Sequence, residues 1–168
     1  AGRTEIARAI FGLDPIDTGS ITLDGQPMPE GFQIHHAMDR GMALVPEDRQ
    51  RQGLILPESV EDNLTLPSLK AFSKLLGLDR DSRGKAAHGL IQHMGIKTAK
   101  PSSPAQSLSG GNQQKIVLGK WVYRQPRLFL LDEPTRGVDV GAKEEVHRMI
   151  RTLARSGSAI LLISSDMP

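Results

Sequence analysis

Leu108-Ser109-Gly110-Gly111-Asn112-Gln113-Gln114-Lys115 and, a short way downstream, Leu128-Phe129-Leu130-Leu131-Asp132-Glu133-Pro134-Thr135 decide how this chain is read. The second stretch is an apolar strand ending in two carboxylates. Asp132 is expected at the carboxyl edge of a sheet, where open α/β folds bind ligands, and there it can hold Mg2+ through water. Glu133, one residue further, points differently and can orient a water as general base. Alone, the stretch also reads as a buried strand closed by capping acids. In the first stretch, Ser109-Gly110-Gly111 opens a helix. Two glycines let a polyphosphate approach the backbone, whose open N–H groups and helix dipole attract anions, and Ser109 adds a hydroxyl donor. Alone, that stretch also reads as a Ser-capped helix after a Gly-Gly turn.

Outward from this pair the pattern is that of an α/β protein. A helix is expected over 112–123, buried strands over Leu128–Leu131 and Ala159–Ile163, and between them an amphipathic helix over 142–154. That helix would place Val146, Met149, Ile150 and Leu153 on one face. Strand, helix, strand with continuous apolar strands argues for a parallel sheet covered on both faces. Met42 to Val45 adds a short buried strand ended by Pro46. Near the start, residues 4–11 place Ile6, Ala9 and Ile10 on one helical face, with Gly12 as the stop. Ile21-Thr22-Leu23 before Asp24-Gly25 reads as a type I′ hairpin. Ser59 is an N-cap for the segment 59–64. From about 68 to 98 the chain turns polar and helical, which reads as an insertion on the core; with its flanks it gives a helical part over roughly 65–115 of one domain spanning 1–168.

The bulk composition agrees. The chain has 168 residues, 38% apolar and only 4% aromatic, enough for one domain whose core is Leu, Ile, Val and Ala. A net charge of +2 gives no argument for nucleic acid. There is no cysteine, which excludes a disulfide scaffold or thiolate metal site. No apolar run approaches the roughly 18 residues needed to span a bilayer, so any membrane contact would come through a partner. The chain opens at Ala1-Gly2-Arg3-Thr4 and closes at Pro168, just after an apolar run. It is expected to be a piece of a longer protein, cut at both ends.

Together the two stretches resemble the ATP-binding-cassette transporter ATPases. Leu108 to Lys115 matches that family's signature motif, Leu130-Leu131-Asp132-Glu133-Pro134 its Walker B strand with catalytic glutamate, and Gly137-Val138-Asp139 its D-loop. The variants around them, with Val45-Pro46-Glu47-Asp48-Arg49, resemble the tandem ATPases of bacterial ribose, galactose and xylose importers, and within them the second cassette. The resemblance implies a P-loop-type α/β fold with a mostly parallel sheet, a helical insertion and a small β-hairpin portion. It implies ATP and Mg2+ as ligands and Glu133 as the catalytic residue. Gly2, Arg3 and Thr4 would be the end of a Walker A loop. Ser109, Gly110, Gly111, Gln113 and Asp139 would contact nucleotide, and Thr4, Asp132 and Glu47 the metal. Implied partners are a second cassette, transmembrane permease subunits and, indirectly, a periplasmic sugar-binding protein, with no nucleic acid. The implied place is the cytoplasmic face of the bacterial inner membrane.

Three positions depart from the family's pattern. Arg3 stands where Walker A has Lys, and its planar fork does not replace a compact ammonium; Glu5 adds negative charge beside it. Glu47 takes the place of the Q-loop glutamine, and Ser165 that of the switch histidine. None of the five histidines fits that role; His35, His36, His88, His93 and His147 read as surface or packing residues. The resemblance then implies an asymmetric pair, in which this cassette donates Ser109, Gly110 and Gly111 to ATP held by its companion. Residues 47–64 are the expected contact surface for the membrane subunits. Two other readings remain: a non-transport cassette acting on ribosomes or DNA repair, and a degenerate regulatory half. The first should carry long basic linkers or coiled-coil insertions, which this sequence lacks.

Overall fold

The computed structural model describes residues 2–75 and 77–165. In chain order the elements are α1 (Arg3–Ile10), β1 (Thr22–Leu23), β2 (Gln26–Pro27), α2 (Ile34–Asp39), β3 (Met42–Val45), α3 (Val60–Thr65), β4 (Ser73–Lys74), β5 (Gly77–Leu78), α4 (Arg80–His93), α5 (Gly110–Val122), β6 (Leu128–Asp132), α6 (Val140–Arg155) and β7 (Ala159–Ile163). A π-helical turn, Arg49–Gly53, follows β3, and a 3-10 stretch, Leu66–Phe72, follows α3.

The main sheet has the order β3-β6-β7, all parallel. Met42 faces Leu128 and Val45 faces Leu131; on the other side Leu128 faces Ala159 and Asp132 faces Ile163. Every residue of β3 is buried, as are Phe129, Leu130 and Leu131. Each of these side chains larger than alanine stabilises the fold by about 1.5–3 kcal/mol through burial, which is why these runs are continuously apolar. The expectation of a buried strand over Ala159–Ile163 is corrected. β7 lies at one end of the strand order, and Leu161 (38% exposed) and Leu162 (41%) face outward, while Ile160 and Ile163 pack on the core.

The first helix forms where expected, with Phe11 at its C-cap and Gly12 at φ +76. Its inner face differs. Ile6 is 56% exposed, whereas Ala7 and Phe11 are buried. The cause is that Phe11 must meet Trp121 edge to face, with ring centroids 5.8 Å apart. Asp24 (φ +51) and Gly25 (φ +74) make the expected I′ turn between β1 and β2. On α6, Val146 and Ile150 are buried and Met149 and Leu153 pack beside them, as the sequence pattern requires.

The helical part is built from α3, α4 and α5 packed on one another. Ser59 caps α3 by accepting from Asp62 N at 2.9 Å. The β4–β5 hairpin was not anticipated. It ends at Asp79, which caps α4 through Ser82 N. The Lys74 ammonium, 2.5 Å away, holds the Asp79 carboxyl far below the usual range. α5 starts at Gly110, two residues before the expected helix, and is buried along most of its length from Gln113 to Trp121. Gly119 permits this, since a Cβ there would lie 3.1 Å from Leu64 and Met94. Among the described residues no helix is long and apolar enough to cross a membrane.

Candidate functional site

Parallel strands gather their carboxyl ends on one edge, and there the structure forms its first cluster. Gly2, Arg3, Thr4, Glu5, Glu47, Asp132, Glu133 and Ile163 line a cavity of about 420 Å3. Glu47 follows β3, Asp132 ends β6, Ile163 ends β7, and Gly2 to Glu5 open α1. Gly2 is in the left-handed region at φ +91, and no side chain caps the first turn of α1. Its N–H groups are the kind of donors that bind phosphate at helix N-termini.

Asp132 is only 2% exposed, and its Oδ1 is buried without a hydrogen-bond partner. A buried carboxylate oxygen left unpaired is costly, so the position suits a cation brought by a ligand. Thr4 lines the same cavity. Glu47 does too, and its carboxylate is ion-paired to Arg136. Among the described residues no group of three His, Cys, Asp or Glu side chains makes a protein-only metal site. Thr4 and Asp132 therefore fit a metal that arrives with phosphate oxygens.

Glu133 takes φ +45, unusual for a residue with a side chain. Its N–H donates to Ile163 O at 2.9 Å, and its Oε2 accepts from Ser165 Oγ at 3.1 Å. A serine hydroxyl thus orients the candidate general base. Arg3 Nη1 donates to Ser164 O at 3.4 Å, turning this guanidinium toward the end of β7.

The second cluster sits where α5 and α6 begin side by side. Ser109 is the N-cap of α5, yet its Oγ accepts from Asn112 Nδ2 at 2.9 Å and makes no cap bond to the backbone. Asp139 is the N-cap of α6 and accepts from Ala142 N at 2.9 Å. A Cβ on Gly111 would stand 2.6 Å from the Ala142 methyl, so only glycine lets the two helix starts approach this closely. Ser109, Gly111 and Asp139 line one pocket, with Lys115 behind them ion-paired to Glu145 at 2.7 Å. That bond holds the Glu145 carboxyl below its usual range. Gln113 is buried, donating to Ala105 O at 3.3 Å and accepting from Gln50, and it is not among the residues lining this pocket.

The two clusters share no lining residue. Glu47, Asp48, Arg49, Gln50, Arg136 and Gly137 form a third depression. It touches the first cluster through Glu47. A fourth, apolar groove of about 490 Å3 is lined by Phe11, Leu13, Met38, Leu66, Pro67 and Trp121, with Lys120 in its wall. Lys120 donates to Gly53 O at 2.7 Å and lies 5.6 Å from the Trp121 ring; burial pushes its pKa down to about 8. Within the expected contact surface over 47–64, Val60, Asn63 and Leu64 are buried under α5 and α4. Lys120 and Arg136 escaped the sequence reading. The one available signal was that lysine at 120 falls on a helix whose neighbours, Leu118 and Trp121, are apolar.

The ABC transporter family profile matches residues 1–136. Ribose import ATP-binding protein RbsA 2 of Streptomyces coelicolor is 45% identical over 168 residues, all of this chain and 32% of that protein. RbsA of Geobacillus kaustophilus is 46% identical over the same span, 34% of its length. A putative ribose/galactose/methyl galactoside import ATP-binding protein of Rhizobium etli is 45% identical over 33% of its length. The chain spans about a third of the length of these curated relatives. In structure it is similar to a dimeric ATP-binding cassette in a post-hydrolysis state bound to ADP and Pi (TM-score 0.80, 19% identity, 98% of this chain and 70% of that one). It is also similar to a nucleotide-free ATP-binding cassette from an ABC transporter (TM-score 0.81, 17% identity, 98% and 66%). The family profile covers most of the chain, and the chain belongs to the ABC transporter family.

Proposed function

We propose that the chain is an ATP-binding and ATP-hydrolysing cassette that energises sugar import, working as one of two unlike cassettes at the cytoplasmic face of the bacterial inner membrane. The observation that carries this reading is the presence of two half-sites on one chain, neither complete. The first supplies Asp132 and Thr4 to hold Mg2+, and Glu133 to orient water. Bound Mg2+ would neutralise phosphate charge. The second supplies Ser109, Gly110 and Gly111 at a helix start beside Asp139. A nucleotide completed by the first half-site of a companion and the second half-site of this chain uses both.

The first half-site is poorly suited to polyphosphate. Glu5, Glu47, Asp132 and Glu133 line it with one cationic side chain, Arg3; of the four carboxylates, Glu47 is paired to a further cation, Arg136. Arg3 also spends a donor on Ser164 O. The working site therefore takes its phosphate loop from the companion and its signature from here. The apolar groove beside the loop after β3 suits a segment of a permease subunit, which would link a periplasmic sugar-binding protein to the cassettes.

Ser109→Asp tests this in the full transporter by sugar-stimulated ATP hydrolysis. Aspartate is as good an N-cap as serine, so α5 stays formed, while its carboxylate repels phosphate. Turnover should fall by about 100-fold or more, the scale seen when an oxyanion donor is removed. Turnover within twofold of wild type would overturn the assignment. Gly111→Asp is the poorer probe, since any Cβ there strikes Ala142.

A further inference from the structure

Arg49 is used by neither half-site, yet it touches the structure around both. Its Nη1 donates to Arg136 O at 2.8 Å and its Nη2 to Gly137 O at 2.9 Å. The same Nη2 lies 2.7 Å from where a Cβ on Gly110 would stand, and Gly137 O lies 3.2 Å from that point. The guanidinium is therefore wedged between the first residue of α5 and the loop after β6. A glycine at 110 is what leaves room for it. Gly137 is at φ +63, and a Cβ there would again approach the guanidinium, at 3.4 Å from Nη1.

The turn that carries Arg49 is itself seated on α5. Gly53 lies so close that a Cβ would sit 3.0 Å from Val117, Lys120 Nζ donates to Gly53 O, and Gln50 reaches Gln113. Asp48 caps the turn by accepting from Gln50 N and Arg51 N, both at 3.1 Å. Two residues before Arg49, Glu47 pairs with Arg136 on the same loop after β6. One loop thus joins the end of β3, the start of α5 and the loop that leads into Asp139.

We infer that Arg49 is a positioning residue whose two-carbonyl clamp sets Gly110-Gly111 against the Arg136–Asp139 loop, so that the phosphate-facing surface donated across the cassette interface is held at one spacing. The inference rests on the signature role proposed above. A planar fork meets two successive carbonyls from two separate nitrogens in a fixed geometry, which a single ammonium nitrogen on a shorter, flexible stem does not reproduce. Charge alone is then insufficient at this position.

The experiment compares Arg49→Lys, Arg49→Met and Arg49→Ala with Ser109→Asp in the full transporter, reading kcat and KM for ATP, with circular dichroism and thermal unfolding to confirm folding. Both Arg49→Lys and Arg49→Met should raise KM about tenfold and lower kcat, the scale of losing charge-assisted hydrogen bonds. Millimolar guanidinium should restore part of the turnover of Arg49→Ala and none of that of Arg49→Lys. Wild-type kinetics in Arg49→Lys would overturn the clamp, because the charge would then suffice. A lowered melting point with unchanged KM and no guanidinium rescue would reduce Arg49 to a stabilising contact, which also overturns it. If Ser109→Asp keeps full turnover, the signature assignment fails and the clamp falls with it. If Ser109→Asp is inactive while the Arg49 variants are normal, only the clamp fails.

Discussion

Lys120→Met should remove a cost that the fold carries at neutral pH. The Lys120 ammonium is buried in the groove wall, and burial lowers its pKa from 10.5 to about 8. Below about pH 8 the side chain is charged in both folded and unfolded chains, and the folded state bears the full desolvation cost. Between about pH 8 and pH 10.5 the unfolded chain still binds the proton that the folded chain has released. Stability therefore rises with pH across that window. A shift of about 2.5 units corresponds to about 3 kcal/mol, of which about 2 kcal/mol is recovered between pH 7 and about pH 9.5. Methionine has similar length and no charge, but it leaves Gly53 O without the donor it has now, a loss of about 1–3 kcal/mol that does not vary with pH. The informative quantity is thus the difference between variant and wild type as a function of pH. Urea unfolding followed by Trp121, the single tryptophan of the chain, should show Lys120→Met losing about 2 kcal/mol relative to wild type from pH 7 to about pH 9.5. The same tryptophan, 5.6 Å from Nζ, should report a fluorescence titration near pH 8 in wild type that is absent in the variant. Parallel stability profiles and no titration in that range would refute the argument.

The asymmetric pairing makes two further predictions. Glu133→Gln removes the candidate base of this chain's own half-site, so sugar-stimulated turnover should fall by no more than about half, far less than in Ser109→Asp; losses of equal depth would mean that both composite sites fire. Arg3→Lys combined with Glu5→Ser restores a compact cation and removes one of the carboxylates in the first cavity, and should tighten MgATP binding to this cassette by about tenfold or more in equilibrium titration; unchanged affinity would show that the altered loop is not what limits it.

Much of the scaffold was legible because one period or one turn dictated each piece. Met42–Val45 and Leu128–Leu131 are unbroken apolar runs and became fully paired parallel strands. Asp24-Gly25 could adopt positive φ twice and made its hairpin. Asp132 and Glu133 fell at the sheet edge because strands of one direction share that edge. What was not legible depends on contacts between distant segments. Periodicity put Ile6 inward on α1, but the Phe11–Trp121 ring contact rotates that helix to bury Ala7 instead. The two-residue strands of the β4–β5 hairpin are too short for any period to show. Gln113 sits beside the signature in sequence, but the carbonyl of Ala105 and the side chain of Gln50 pack around it and bury it, which no local pattern could show. The roles of Lys120 and Arg49 depend on the carbonyls of Gly53, Arg136 and Gly137, which only the fold places around them.

Those carbonyls explain how the two half-sites are related. The cavity at the sheet edge belongs to β3, β6, β7 and the start of α1, whereas the second pocket belongs to α5 and α6. α5 is packed with α3, α6 and α4, and the join between its start and the sheet edge is bridged by loops. The loop after β3 spans it twice: Glu47 and Arg49 hold the loop after β6, and Gly53 and Gln50 hold α5. The apolar groove runs along that same loop at Pro46 and Gln52. An occupant that presses on the groove therefore bears on a segment tied both to the loop after β6 and to α5, and its push reaches the start of α5 through side-chain hydrogen bonds to backbone carbonyls and packed side chains that leave little room to yield.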